Sequence, residues 1–178
     1  MPTKKKSDKN PLVWASLRIS LGFIFLWAFL DKTFGLGFAT CRNPKTEAVD
    51  MLCGKAWLEG GSPTAGFLNF GTKGPLAEFY QGLAGIAWVD WLFMLGLLLI
   101  GVALIFGIAQ KLAAFFGAVL LFMMWTAALL PENNPFLDDH LVYILVLWGV
   151  YVNRDNSKWS LQSWWKSQPL VKKFPVLG

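Results

Sequence analysis

Long apolar stretches, rather than the alternation of a half-buried strand, dominate this chain. Residues 12–30 are nineteen mostly apolar positions, and at 1.5 Å per residue they make about 28 Å of helix, enough to cross a bilayer. Residues 91–108 and 112–130 form a second and third run, joined tightly by Ala109-Gln110-Lys111. The fourth run, 141–152, is twelve residues long and falls short of a span. Starting it at Phe136 gives seventeen residues and draws Asp138, Asp139 and His140 into its first turns. The pattern predicts an all-α polytopic membrane protein: a four-transmembrane-helix bundle with spans at about 12–31, 91–108, 112–130 and 136–152.

The remaining segments divide around those spans. Residues 1–11 form a basic tail ahead of a membrane domain over 12–153, and 154–178 follow it as an interfacial tail. The connection 32–90 is too long for a simple turn. Within it, Leu76, Phe79, Tyr80 and Leu83 fall at helical spacing after Pro75, which predicts a short amphipathic helix over 75–83. Gly60-Gly61-Ser62-Pro63-Thr64-Ala65-Gly66 reads as turn material that brings the chain back to the membrane. In the last segment Trp159, Leu161, Trp164 and Trp165, with Lys158 and Lys166, predict an interfacial anchor ended near Pro169.

Composition agrees with a membrane protein. The chain is 55% hydrophobic and 15% charged, against roughly 25% charged in an ordinary soluble protein. A net charge of +5 does not indicate nucleic-acid binding, because the cations sort by position along the chain and no nucleic-acid motif occurs. The two tails, the first span and the 109–111 turn hold eleven cations against Asp8 and Asp155; the two other connections hold five cations against nine acids. The positive-inside rule then predicts cytoplasmic termini, with the 32–90 connection and the loop before the fourth span outside. The first run is read as an uncleaved span, since a signal peptide has a shorter apolar core and a small-residue cleavage site. The expected location is a prokaryotic plasma membrane, crossed several times.

Candidate chemistry gathers at the outer ends. Asp31 and Lys32 close the first span, and Glu132, Asp138, Asp139 and His140 lead into the fourth. Together they make four carboxylates, a lysine and the sole histidine near one depth, a set able to shift protonation equilibria and relay protons. The alternative is that Asp138 or Asp139 caps the fourth helix and His140 bonds a loop carbonyl. Trp125 and Thr126, with Phe25, Phe29 and Trp148, could line an apolar slot beneath this cluster, shaped for a quinone ring whose carbonyls need donors. Arg18 either snorkels to the cytoplasmic surface or faces the bundle and pairs with a polar group or anionic headgroup. The pairs Ala103-x-x-x-Gly107 and Ala113-x-x-x-Gly117 read as helix-packing contacts.

Cys41 and Cys53 both fall in the outer connection with eleven residues between them. An oxidising compartment favours a structural disulfide, stabilising the loop by roughly 3 kcal/mol in the chain-entropy model; a redox-active pair is the alternative, without the Cys-x-x-Cys spacing. Two cysteines and one histidine do not make a zinc site.

Four segments carry a resemblance: Leu17-Arg18-Ile19-Ser20-Leu21-Gly22, Phe29-Leu30-Asp31-Lys32, Gly60-Gly61-Ser62-Pro63-Thr64-Ala65-Gly66-Phe67-Leu68, and Pro131-Glu132-Asn133-Asn134-Pro135-Phe136-Leu137-Asp138-Asp139-His140. Over about residues 12–153 the chain resembles the DoxX family of bacterial and archaeal membrane proteins. The resemblance implies a four-helix membrane bundle and, as an expected activity, membership of a thiosulfate:quinone oxidoreductase or a related membrane redox complex. The residues expected to carry such chemistry are those of the polar cluster, Asp31, Lys32, Glu132, Asp138, Asp139 and His140 as catalytic candidates, with Arg18, Trp125, Thr126 and Trp148 as candidate quinone contacts. The chain has no haem, flavin, metal or iron–sulfur motif, so a redox role calls for a partner or a freely bound quinone; a partner subunit or homo-oligomer and membrane lipid are the expected partners. A non-catalytic membrane partner or assembly subunit is the alternative, and a small-solute transporter a third, for which four short-looped helices leave little room.

Overall fold

The computed structural model describes residues 10–131 and 134–178. Glu132, placed by the sequence reading in the polar cluster, lies outside the described residues. The described chain is helical, with an isolated antiparallel bridge between Arg42 and Val49 in place of any strand. Three helices are long and apolar enough to cross a membrane: α1 (Pro11–Phe34), α4 (Ala87–Phe106) and α5 (Gln110–Ala127). The other helices are α2 (Ala65–Phe70), α3 (Ala77–Gln81), α6 (Asp139–Val152), α7 (Gln162–Ser167) and α8 (Pro169–Lys173).

The first three apolar runs thus become helices, each displaced by a few residues from its predicted bounds. The fourth differs more: α6 has fourteen residues, because Asp138 adopts extended backbone and caps the helix through its side chain. Residues 136–138 are the approach to α6 rather than its first turn. Fourteen residues rise about 21 Å, less than the thickness of a bilayer core. The connection between α1 and α4 is also more structured than expected. A single 75–83 helix is replaced by a 3-10 turn (Gly74–Leu76) followed by α3, and α2 begins at Ala65, inside the segment read as turn.

The long helices pack α1 on α4, α4 on α5, α5 on α6 and α6 on α1. Their shared core is Leu21 and Phe25 of α1, Met94, Leu97, Ile100 and Leu104 of α4, Ala113, Ala114 and Leu121 of α5, and Leu147 and Val150 of α6. Small residues set the spacing. A Cβ added to Gly22 would lie 2.9 Å from the Ile105 nitrogen, and one added to Gly101 would lie 2.7 Å from the Leu26 nitrogen. Small residues at a helix crossing allow such close backbone contact. Gly117 of α5 does the same for α6, since a Cβ there would sit 3.0 Å from Leu147 Cδ1, and Gly149 of α6 leaves room for the Trp14 ring.

Each end of this assembly is closed by polar contacts. At the end where α1 finishes, a disulfide joins Cys41 to Cys53 and Arg42 pairs with Glu47 at 2.9 Å. Trp57 then stacks edge-on between Phe29 and Trp91. α2 and α3 lie over the end of α5, where Leu68 and Tyr80 bury Ala127. At the opposite end α7 and α8 fold beneath the α4–α5 turn, tied there by a hydrogen bond from Leu161 N to Phe106 O of 2.9 Å.

Candidate functional site

The approach to α6 is built by local hydrogen bonds. Asn134 Oδ1 accepts from Phe136 N at 2.9 Å and Leu137 N at 2.8 Å, an Asx turn of the kind Asn forms readily. Trp125 on α5 fixes that turn: its indole donates to Phe136 O at 3.0 Å, and the two rings meet edge-on. The chain then reaches Asp138, whose Oδ1 accepts from Leu141 N at 3.3 Å, satisfying one of the orphan amides of a helix start. Asp138 Oδ2 bonds His140 Nδ1 at 2.7 Å, and Asp139 Oδ1 lies 3.6 Å from the same nitrogen. Asp138 and His140 are mostly buried, while the Asp139 side chain is 68% exposed. No described residue bonds His140 Nε2. The cap expected of Asp138 is formed, and its second oxygen holds the imidazole, in place of the loop carbonyl expected as the partner of His140.

A groove of about 570 Å³ opens beside this pair. One wall is Ala128, Leu130, Pro131, Asn134, Leu137, Asp138 and Asp139; the other is Phe70, Gly71 and Lys73 from the connection. That second wall is held against α5 by Lys73 N donating to Ala127 O at 2.9 Å and by the 2.6 Å contact between the Tyr80 and Thr126 hydroxyls. Gly74 has a positive φ of 72°, and a Cβ there would run into the Leu129 carbonyl, so the crossing of the connection over α5 requires glycine.

The predicted cluster is brought together only in part. Asp31 is buried, and its carboxylate accepts from Phe38 N at 3.0 Å and Ala39 N at 2.9 Å. It thereby anchors the start of the disulfide-closed loop. Among the described residues, no hydrogen bond or ion pair joins Asp31 or Lys32 to Asp138, Asp139 or His140.

The expected quinone slot is not gathered. Trp125 is turned to the Phe136 loop, and Thr126 bonds Tyr80. Phe25 belongs to the central core with Phe29 packed against it, while Trp148 is 65% exposed on the outward face of α6.

Arg18 is at the other end of α1. It is 1% exposed, so it does not snorkel. Its guanidinium donates to four carbonyls: Leu104 O, Ile105 O at 3.0 Å, Lys158 O at 3.1 Å and Trp159 O at 2.8 Å. The carbonyls left over at the end of α4 are thus accounted for across the chain. Ile108 N bonds Ala103 O at 3.0 Å, Arg18 takes Leu104 and Ile105, and Leu161 N takes Phe106. Ser160 Oγ donates to Gly107 O at 2.8 Å, and Gln110 Nε2 donates to the same oxygen at 3.0 Å. A buried cation needs compensation, and here the negative end of the α4 dipole supplies it.

Three working residues escaped the sequence reading. Asp90, in the first turn of α4, accepts from Thr64 Oγ1 at 2.6 Å, Thr64 N at 3.2 Å and Ser62 Oγ at 2.9 Å. A carboxylate directly before an apolar run, with Ser-Pro-Thr upstream, is the signal that marks it. Gln110 lies in the short turn between two apolar runs and Ser160 in a polar stretch, neither with a distinguishing pattern, and their pairing depends on the tertiary fold. Searches against protein-family models, curated proteins and solved structures return no match to this chain.

Proposed function

We propose that this chain is a DoxX-like integral membrane protein of four spans, both termini cytoplasmic, serving as a subunit of a plasma-membrane redox complex. In this reading the complex passes electrons from thiosulfate or a related small sulfur or thiol substrate to a quinone. The site is the groove flanked by Asp138 and Asp139. α6 with its Phe136–Asp138 approach is the fourth span, and the end of the helices bearing Asp31 and Asp138 faces outward, in accord with the charge asymmetry.

The observation that carries the reading is the 2.7 Å pair of Asp138 and His140 beside a groove with both apolar and polar walls. Its volume falls within the range of small-molecule sites, about 300–1,000 Å³, and the residues present fit a quinone. Phe70, Leu130 and Leu137 would flank the ring, the Asn134 amide would donate to a quinone carbonyl, and the acceptor carboxylates of Asp138 and Asp139 would meet the hydroxyls of the reduced form. When bound, a quinone supplies a two-electron, two-proton acceptor. The chain's own residues do the positioning and hold the protons. Asp138 Oδ2 fixes the imidazole through Nδ1 and leaves Nε2 available for proton exchange. Asp139, exposed and 3.6 Å from Nδ1, connects that imidazole to water. A partner subunit supplies the electrons.

A second reading, a non-catalytic partner or assembly subunit, is favoured by a different observation. Arg18, Asp31 and Asp90 are all engaged by backbone or loop groups in fastening the helix ends. Purification in detergent followed by extraction and identification of lipophilic ligands separates the two. Co-purifying quinone, with quinone reduction lowered in His140→Ala and Asp139→Asn, supports the redox site. Wild-type turnover in both variants removes the site assignment, and a quinone-free protein whose variants only lose partner association supports the second reading.

A further inference from the structure

We infer that the segment after α6, residues 154–178 together with Lys111, is a preformed binding surface for the headgroups of anionic phospholipids, an inference that rests on the membrane orientation proposed above. The segment is docked rather than trailing. Arg18 holds the Lys158 and Trp159 carbonyls, Ser160 Oγ holds Gly107 O, and Trp165 Nε1 donates to Leu177 O at 2.6 Å. Val171 and Gln162 are buried beneath it. These contacts fix the segment at the level of the α4–α5 turn, the depth at which a bilayer surface would lie if α4 and α5 cross it.

Its charge is one-sided. Lys111, Arg154, Lys158, Lys166, Lys172 and Lys173 face one acid, Asp155. Lys166 pairs with that acid at 3.1 Å, and Arg154 lies over the Tyr151 ring. Lys111, Lys158 and Lys172 are exposed with no acidic partner among the described residues. Between the cations stand Trp159, Trp164, Leu170 and Phe174, each about half exposed or more. Indole and aliphatic groups interleaved with lysines suit the boundary between acyl chains and headgroups, where the rings are half immersed and the ammonium groups meet phosphate. A zwitterionic headgroup leaves the excess positive charge uncompensated, and an anionic headgroup neutralises it.

The test uses the full chain in phosphatidylcholine vesicles carrying a minor fraction of either brominated phosphatidylglycerol or brominated phosphatidylcholine, read by tryptophan quenching. The expected result is that phosphatidylglycerol reaches half-maximal quenching at roughly three- to tenfold lower fraction. Replacing Lys158, Lys166, Lys172 and Lys173 by Gln should abolish that preference, and replacing the same four by Arg should retain it. Equal quenching by the two lipids in the wild-type chain overturns the inference. So does a preference that survives the Gln replacements, which would move headgroup binding to Lys4, Lys5, Lys6 and Lys9. Alkaline extraction of the same vesicles reports on the membrane reading separately. A protein that is extracted overturns that reading and this inference with it, whereas one that resists extraction but shows no preference overturns this inference alone.

Discussion

Gly22 of α1 and Gly101 of α4 meet backbone to backbone, and a Cβ added to either would lie 3.0 Å from the other's carbonyl oxygen. That contact brings α1 close enough for Arg18, one turn earlier, to reach the last carbonyls of α4. At Gly101 the obstructing atoms are all main chain, so no side-chain rotation relieves a larger residue there. Gly101→Leu should therefore destabilise the packed helices by about 1–3 kcal/mol or more, the cost of overpacking a tight contact. Thermal unfolding in detergent checks this, and Gly96→Leu is the control, since the nearest atom to a Cβ there is 4.0 Å away.

Arg18 joins three parts of the chain through carbonyl oxygens alone, so its removal leaves those carbonyls buried. Each unsatisfied group costs about 1–3 kcal/mol. Arg18→Met is expected to release residues 157–161 from the end of α4, seen as faster amide exchange there and as new trypsin cleavage after Lys158. Arg18→Lys should give a smaller effect, because an ammonium cannot form the guanidinium's planar fork of donors. Unchanged exchange in both variants would show that the tail is held by Ser160 and Leu161 alone.

Asp90 holds Ser62 and Thr64 with a buried carboxylate. Asp90→Ala should free the Ser62–Thr64 turn and increase proteolysis across residues 60–72, at a cost of about 1–3 kcal/mol for the donors left unpaired. Asp90→Asn, which keeps an acceptor oxygen, should lie between the wild type and the alanine variant. The groove wall at Phe70 and Lys73 follows this turn in sequence, so ligand binding there should weaken in parallel with the loss of protection.

The disulfide between Cys41 and Cys53 closes a loop that is also fastened to α1 by Asp31 and by the bond from Leu52 N to Phe34 O. Replacing both cysteines by serine should lower the stability of that loop by roughly 3 kcal/mol in the chain-entropy account. Helical content by circular dichroism should stay unchanged, because residues 36–53 contain no helix. Faster amide exchange confined to that loop is the expected readout.

What the sequence conveys follows from the range of each interaction. Hydrophobic period and length mark α1, α4 and α5 because those signals are local. The start of α6 is legible as one of two alternatives, since an Asp before an apolar run can cap a helix or enter its first turn, and the extended backbone of Asp138 with its bond to Leu141 selects the cap. The adjacency of Asp138 and His140 could be read directly, being two positions apart. Their separation from Asp31 could not, because the Asp31 carboxylate turns to Phe38 and Ala39 rather than across the bundle. Arg18 is the plainest case: its partners lie 86 to 141 residues away, beyond any periodicity, and all are backbone atoms, which carry no sequence signature. Gly22 stands in the same category. Its partner Gly101 is one of the two glycines in α4, Gly96 and Gly101, and the helix crossing alone selects it.

The central claim is that the groove beside Asp138 and His140 binds a quinone, and equilibrium titration of the purified wild-type protein with a short-chain quinone tests it most directly. The account predicts saturable binding that weakens about tenfold in Asn134→Asp, which keeps the Oδ1 acceptor of the turn and removes the amide donor at the groove, with thermal unfolding of the variant little changed. Binding of equal strength in wild type and variant, or no saturable binding to the wild type, would contradict it.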